Sequence, residues 1–175
     1  AAAKAAEAER KRKEAEALKN NPNATVKPAP AIDAKLSASF GQNKGKLPWP
    51  VDNGVITKTF GQHPHPVDSK IIINNKGIDI KTNSNSPVKA VFDGVVSSVL
   101  YKPGFNQVVL VRHGDFFTLY STLETVTVKA GDTITAKQVI GTVHTDGSSS
   151  ISELHFELWQ GTNNLNPALW IYTTQ

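Results

Sequence analysis

The sequence predicts an all-β, antiparallel domain preceded by an N-terminal helix. From about residue 47 onward, apolar residues recur at alternate positions in short runs. Gly- and Asp-containing turn signals separate these runs: Asp93-Gly94, Pro103-Gly104, His113-Gly114-Asp115 and Ala130-Gly131-Asp132. No strong amphipathic helix interrupts the series, which leaves no crossover of the kind parallel pairing requires.

Residues 1–19 read as a helix, because they hold no Gly or Pro and eight of the first twenty residues are Ala. Glu7 to Lys11 and Glu9 to Lys13 stand in the favourable i,i+4 order. An apolar seam at Ala1, Ala5, Ala8 and Ala15 is broken by Arg12 and Lys19, as at the end of a coiled coil. The chain starts at Ala1 inside this pattern, which reads as a fragment of a longer protein. Asn20-Asn21-Pro22, Pro28 and Pro30 mark residues 20–46 as a linker and lead-in segment. Strands are then expected at 55–60, 70–73, 77–81, 88–92, 95–101, 108–113, 116–120, 125–128, 139–143 and 153–159.

The 175 residues carry 19 Lys+Arg against 15 Asp+Glu, a formal charge of +4. Residues 1–20 hold six basic and four acidic side chains, so 21–175 hold thirteen against eleven. That nearly neutral body lacks the clustered cations that phosphate neutralisation needs, which argues against nucleic acid. With no Cys, a disulfide scaffold, a thiolate zinc finger and a cysteine nucleophile are excluded. No apolar run reaches the roughly 18 residues of a membrane-spanning helix.

Candidate chemistry rests on five His residues (63, 65, 113, 144 and 155) and on two strands with alternating faces. Asp79 points opposite to Ile78 and Ile80, and so faces a groove or solvent if the isoleucines face a core. Glu153, His155 and Glu157 share one strand face, with Leu154, Phe156 and Leu158 on the other. Ligands on two such strands can meet over a common surface.

The segments Asn75-Lys76-Gly77-Ile78-Asp79-Ile80 and Glu153-Leu154-His155-Phe156-Glu157-Leu158 resemble two signatures of the lysostaphin-type (LytM-like) zinc metallopeptidases, His-x-Gly-x-Asp and His-x-His-Phe-Glu. Ordered landmarks lie between them: residues 90–96, Val111-Arg112-His113-Gly114, Thr118-Leu119-Tyr120, 128–132 and Ile140-Gly141. The resemblance runs from about 47 to 171 and implies a lysostaphin-like, duplicated-hybrid-motif fold over residues 47–175. The run Lys46-Leu47-Pro48-Trp49-Pro50-Val51 is similar to the start of this domain in murein-hydrolase activators of the EnvC/NlpD kind, which carry it after a helical or coiled-coil segment.

The family's zinc ligands map onto Asn75, Asp79 and His155, and its two further site His onto Thr122 and Glu153. An amide oxygen at Asn75 is a poor exchange for imidazole at zinc. A threonine cannot serve as general acid or base near neutral pH. The resemblance therefore implies a pseudo-peptidase with no catalytic residues and no zinc, in which Asp79 and His155 are remnant ligands that can hydrogen-bond each other. Glu153 is the residue that could rejoin them as a third ligand in an altered, active site. His113 is expected to be structural and His144 near the groove. His63 and His65 are expected in a Pro-flanked surface loop.

By the same resemblance, Asn75, Asp79, Thr122, Glu153 and His155 form the floor of a partner-binding groove. Its rim is expected from loops 61–69, 102–106 and 146–151 and the Asn74-Asn75 turn. The implied function is to bind and switch on an N-acetylmuramoyl-L-alanine amidase, a cell-wall amidase that acts on peptidoglycan during cell separation. The implied setting is the periplasm or cell envelope, with an envelope division complex as an upstream partner and residues 1–19 as a candidate cover for the groove. The alternative is a module that binds peptidoglycan or an envelope protein without catalysis.

Overall fold

Burial in β4 and β11 follows the predicted alternation, and this decides which side chains leave the core. In β4 (Ile78–Lys81) both isoleucines are fully buried while Asp79, pointing the other way, is only partly covered. In β11 (Glu153–Gln160) Leu154, Phe156 and Leu158 are fully buried, and Glu153, His155 and Glu157 face the other way. The computed structural model describes residues 31–173 together with Ala5. Apart from Ala5, the helix and coiled-coil end expected over 1–19 lie outside the described residues. The chain divides into two units, residues 1–30 and 31–175.

The second unit opens with α1 (Ala31–Gln42) and continues through β1 (Val55–Lys58), β2 (Gly61–Pro64), β3 (Ile72–Asn75), β4, β5 (Pro87–Lys89), β6 (Gly94–Lys102), β7 (Asn106–His113), β8 (Phe116–Val126), β9 (Thr133–Ile134), β10 (Val139–Val143), β11 and β12 (Asn163–Leu165). A 3-10 turn at Pro167–Leu169, capped by the Asn166 side chain, follows. Among the described residues the main sheet has ten strands in the order β1-β4-β11-β8-β7-β6-β9. β12 pairs with β11, and β10 pairs with β8 and β5. A separate two-stranded sheet joins β2 and β3. All these ladders are antiparallel. A parallel bridge joins Leu47 to Ile171.

The all-β antiparallel expectation holds, with three local corrections. Residues 31–42, read as linker from their neighbouring prolines, form α1, and its Phe40 is completely buried. The Phe40 ring stacks on Phe116 and His113 at centroid distances of 4.6 and 4.8 Å and meets Phe92 edge-on at 5.4 Å. One buried aromatic, worth roughly 2–3 kcal/mol in removed apolar surface, turns a Pro-flanked stretch into a docked helix. Ser37 Oγ accepts the Asp115 N–H at 2.6 Å, and Asn43 Nδ2 donates to the Ser39 carbonyl near the helix end.

The second correction concerns residues 61–64, expected as loop, and Asn74-Asn75, expected as a turn. Both segments are strand: Gly61 pairs with Asn75, and His63 pairs with Ile73. His63 therefore lies on β2. Pro64 is tolerated because this two-stranded ribbon is edge on both sides.

The third correction is that the strands expected at 116–120 and 125–128 are one strand, β8. It changes partners in its middle. Up to Ser121 it pairs with β11, and from Leu123 it pairs with β10. The residue between is Thr122, whose φ of 63° lies in the left-handed region. That conformation is costly for a β-branched residue and marks a bulge that bends the strand.

Candidate groove floor

Four strands bring the site together. His155 stands opposite Asp79 on β4 and opposite Ser121 on β8. This close approach depends on Gly77, where an added Cβ would sit 2.1 Å from the Phe156 carbonyl oxygen. On β1 the register against β4 slips, so that Ile56 faces Ile80 but Lys58, not Thr57, faces Asp79. In uninterrupted pairing Lys58 would project from the opposite face; the bulge turns it onto the site.

The side chains form a chain of alternating charge. His155 Nδ1 donates to Asp79 Oδ1 at 2.5 Å, and its Nε2 donates to Glu157 Oε1 at 3.0 Å. Trp159 Nε1 donates to the second Glu157 oxygen at 2.7 Å. Lys58 Nζ lies 3.2 Å from Asp79 Oδ2 and 3.7 Å from Glu153 Oε2. Thr57 Oγ1 lies 2.9 Å from Glu153 Oε1. Asp79, His155 and Glu157 are largely buried, at 14–15% side-chain exposure, whereas Lys58 is 63% exposed.

Burial alone would make the His155 ring less basic. The hydrogen bonds to Asp79 and Glu157, with their charges, outweigh it and raise its pKa to about 9. Both nitrogens face carboxylate oxygens, so the ring is an imidazolium near neutral pH. Burial would raise Asp79, but the His155 hydrogen bond and charge, together with Lys58, hold it below its ordinary value. Glu157 is lowered in the same way by His155 and Trp159, against its own burial.

Asn75 and Thr122 complete the set without contributing ionisable groups. Asn75 Nδ2 donates to the Thr59 carbonyl at 3.1 Å, and its Oδ1 accepts the Gly77 N–H at 3.2 Å. Thr122 Oγ1 lies 2.5 Å from the Glu153 carbonyl oxygen and accepts the His155 N–H at 3.3 Å, clasping β8 to β11. The Thr122 N–H reaches over to the Phe105 carbonyl at 2.7 Å. Phe105 in turn leans edge-on toward the His155 ring, 6.4 Å between centroids, with Lys102 Nζ 4.4 Å from its own ring centre.

These donors do not fit a zinc centre as they are folded. Zinc needs a neutral imidazole and free carboxylate lone pairs, whereas both His155 nitrogens and both Asp79 oxygens are engaged within the protein. Among the described residues no group of three or more His, Cys, Asp or Glu is arranged to hold a metal ion. Glu153 is turned to Thr57 and Lys58 instead of joining Asp79 and His155 as a third ligand.

Asp79, His155, Glu153 and Thr122 meet as the sequence anticipated, with Asn75 beside them through Thr59 and Gly77. Lys58 was missed because the β1 bulge that aims it has no signature in the pattern. Phe105 lies in the 102–106 loop expected at the rim, and the Thr122 N–H bond to its carbonyl fastens that loop beside His155. His113 is structural. Its ring is fully buried, donating from Nδ1 to the Asp93 carbonyl at 2.6 Å and meeting Thr118 Oγ1 through Nε2 at 2.8 Å. The His144 ring pairs with Glu124, while its backbone N–H bonds the Thr122 carbonyl.

Comparison with known proteins agrees with this architecture. The family model described as Peptidase family M23 matches residues 73–167. The murein hydrolase activator EnvC of Escherichia coli K12 is 28% identical over 179 residues, covering 97% of this chain and 41% of that protein. The murein hydrolase activator NlpD of the same organism is 30% identical, covering 70% and 30%. A zinc-containing peptidase from Vibrio cholerae superposes with a TM-score of 0.61 at 26% identity, covering 71% of this chain and 40% of that one. The chain spans well under half the length of these curated relatives. The chain is thus a member of peptidase family M23, with a LytM-type domain similar to that of the murein hydrolase activators.

Proposed function

We propose that this chain is a catalytically inactive regulator that binds and activates a cell-wall amidase in the periplasm. The observation that carries the reading is the engagement of His155 by both Asp79 and Glu157. An imidazolium held between two carboxylates offers no lone pair to a metal and no base to a water molecule. Thr122 and Asn75, at the positions where active relatives would place His, make backbone bonds instead of holding a proton for transfer. Zinc is accordingly not part of the proposed activity. The similarity to proteins named murein hydrolase activators supports the regulatory role.

The groove then works by differential affinity. It binds an amidase more tightly in the amidase's open state than in its self-inhibited state, and the population shifts by that difference. Exposed apolar side chains beside the polar floor suit such a contact: Phe105 is 37% exposed, and Ile71, Ile72 and Ile73 on the β2–β3 side are 43–57% exposed. Residues 1–19 are proposed to modulate access to the groove.

The test is dye release from labelled sacculi by this chain alone, by a candidate amidase alone, and by both, each with and without a chelator that is removed before the amidase is added. Release only in the mixture, indifferent to chelator treatment of this chain, supports activation. Chelator-sensitive release by this chain alone would refute it. Retention on sacculi with no change in amidase-dependent release would favour a binding module.

A further inference from the structure

We infer that Lys58 is the resident cation of the groove floor, the ammonium that takes up the carboxylates a metal ion would otherwise share and so keeps divalent cations out. This rests on the non-catalytic reading above and adds a residue that the family signatures do not contain.

The placement of Lys58 is built by the fold. The bulge between Ile56 and Lys58 re-aims one side chain onto the floor, and that side chain is a cation. Its ammonium meets Asp79 Oδ2 at 3.2 Å and Glu153 Oε2 at 3.7 Å, thereby bridging β1 to β4 and β11. The other Asp79 oxygen is held by His155 and the other Glu153 oxygen by Thr57. Every carboxylate oxygen facing this part of the floor thus has an internal partner. Asp79 is only 15% exposed, so water compensates it poorly, and the Lys58 ammonium adds to the His155 imidazolium in satisfying it.

A divalent ion approaching Asp79 has to displace this ammonium and then remain beside it, since the Lys58 backbone is pinned opposite Asp79. Restoring the missing imidazole alone would therefore leave metal binding weakened by the ammonium. The Lys58 side chain is itself 63% exposed, so the barrier is modest, on the order of tenfold in metal affinity.

The experiment measures zinc affinity by equilibrium dialysis with elemental analysis, and the cobalt(II) absorption spectrum as a report on coordination geometry. The proteins are the unaltered chain, Asn75→His, Asn75→His/Lys58→Met and Asn75→His/Lys58→Arg. Circular dichroism and the thermal midpoint check folding, and Asn75→His/Lys58→Gln stands in if the Met variant fails to fold. The expected result is zinc binding at least about tenfold tighter in the Met or Gln double variant than in Asn75→His, with a tetrahedral cobalt spectrum, and a return to weak binding with Arg. Equal affinity of Asn75→His and the charge-free double variant, or no binding by either charge-free variant, would overturn the role of Lys58 alone. Tight stoichiometric zinc binding by the unaltered chain would overturn the non-catalytic reading itself.

Discussion

His155 Nδ1 stands 2.5 Å from Asp79 Oδ1, and the far side of the same ring reaches Glu157. One imidazolium thus bridges two largely buried carboxylates from neighbouring strands. Replacing His155 with Ala strips Glu157 of its imidazolium and leaves Asp79 with only the largely exposed Lys58 ammonium. The variant should lose about 3 kcal/mol at neutral pH, read from urea unfolding midpoints at unchanged slope. A loss below about 1 kcal/mol would mean that water compensates the pair, and the ion chain would then not be what fastens β4 to β11.

Phe40 makes the opposite kind of contact, wholly apolar and wholly buried. Phe40→Ala opens a cavity between Phe116, His113, Phe92 and Trp170. The expected cost is about 3–5 kcal/mol, with faster amide exchange in α1 than in β8. An effect below about 1 kcal/mol would show that α1 is an appendage and not part of the core.

Thr122 combines a useful hydroxyl with an unfavourable backbone. Thr122→Ala keeps the positive φ and loses the clasp to the Glu153 carbonyl, and should destabilise by about 1–2 kcal/mol. Thr122→Gly loses the same clasp but relieves the left-handed strain, so it should be the milder change, by roughly 1 kcal/mol. Denaturant titration of the two variants side by side decides; Gly worse than Ala would contradict the strain argument.

His113 predicts a pH dependence. Burial outweighs its hydrogen bond to the Asp93 carbonyl and lowers its pKa from 6.5 to about 4. The unfolded chain therefore takes up the proton first as the solution is acidified. The stability due to neutral His113 is complete above 6.5, declines through that window and is gone once the pH has fallen through about 4. His113→Asn should be less stable at neutral pH yet show a flatter loss between these values, measured as thermal midpoint against pH. An unchanged slope would mean that other groups carry the acid limb.

Much of this was legible in the sequence because it depends on period and on local chemistry. Ile78-Asp79-Ile80 and Leu154-His155-Phe156-Glu157-Leu158 state by alternation which side chains leave the core, and burial agrees at each of these positions. The meeting of Asp79 with His155 was anticipated from the two signatures together. Residues 31–42 were misread because proline marks where a helix begins as readily as where a linker runs. The buried Phe40 that decides between them is satisfied only by residues some 50 to 130 positions away in the chain.

By itself the sequence determined the all-β class, the family and which face of each strand is polar, because a two-residue period and a run of ordered motifs are local properties. The tertiary structure alone decided two things: that Lys58 turns onto Asp79, and that Thr122 is where β8 changes partners. Each depends on register between strands distant in sequence. A slip of one residue in register exchanges core for groove, and no alternation within a single strand records it.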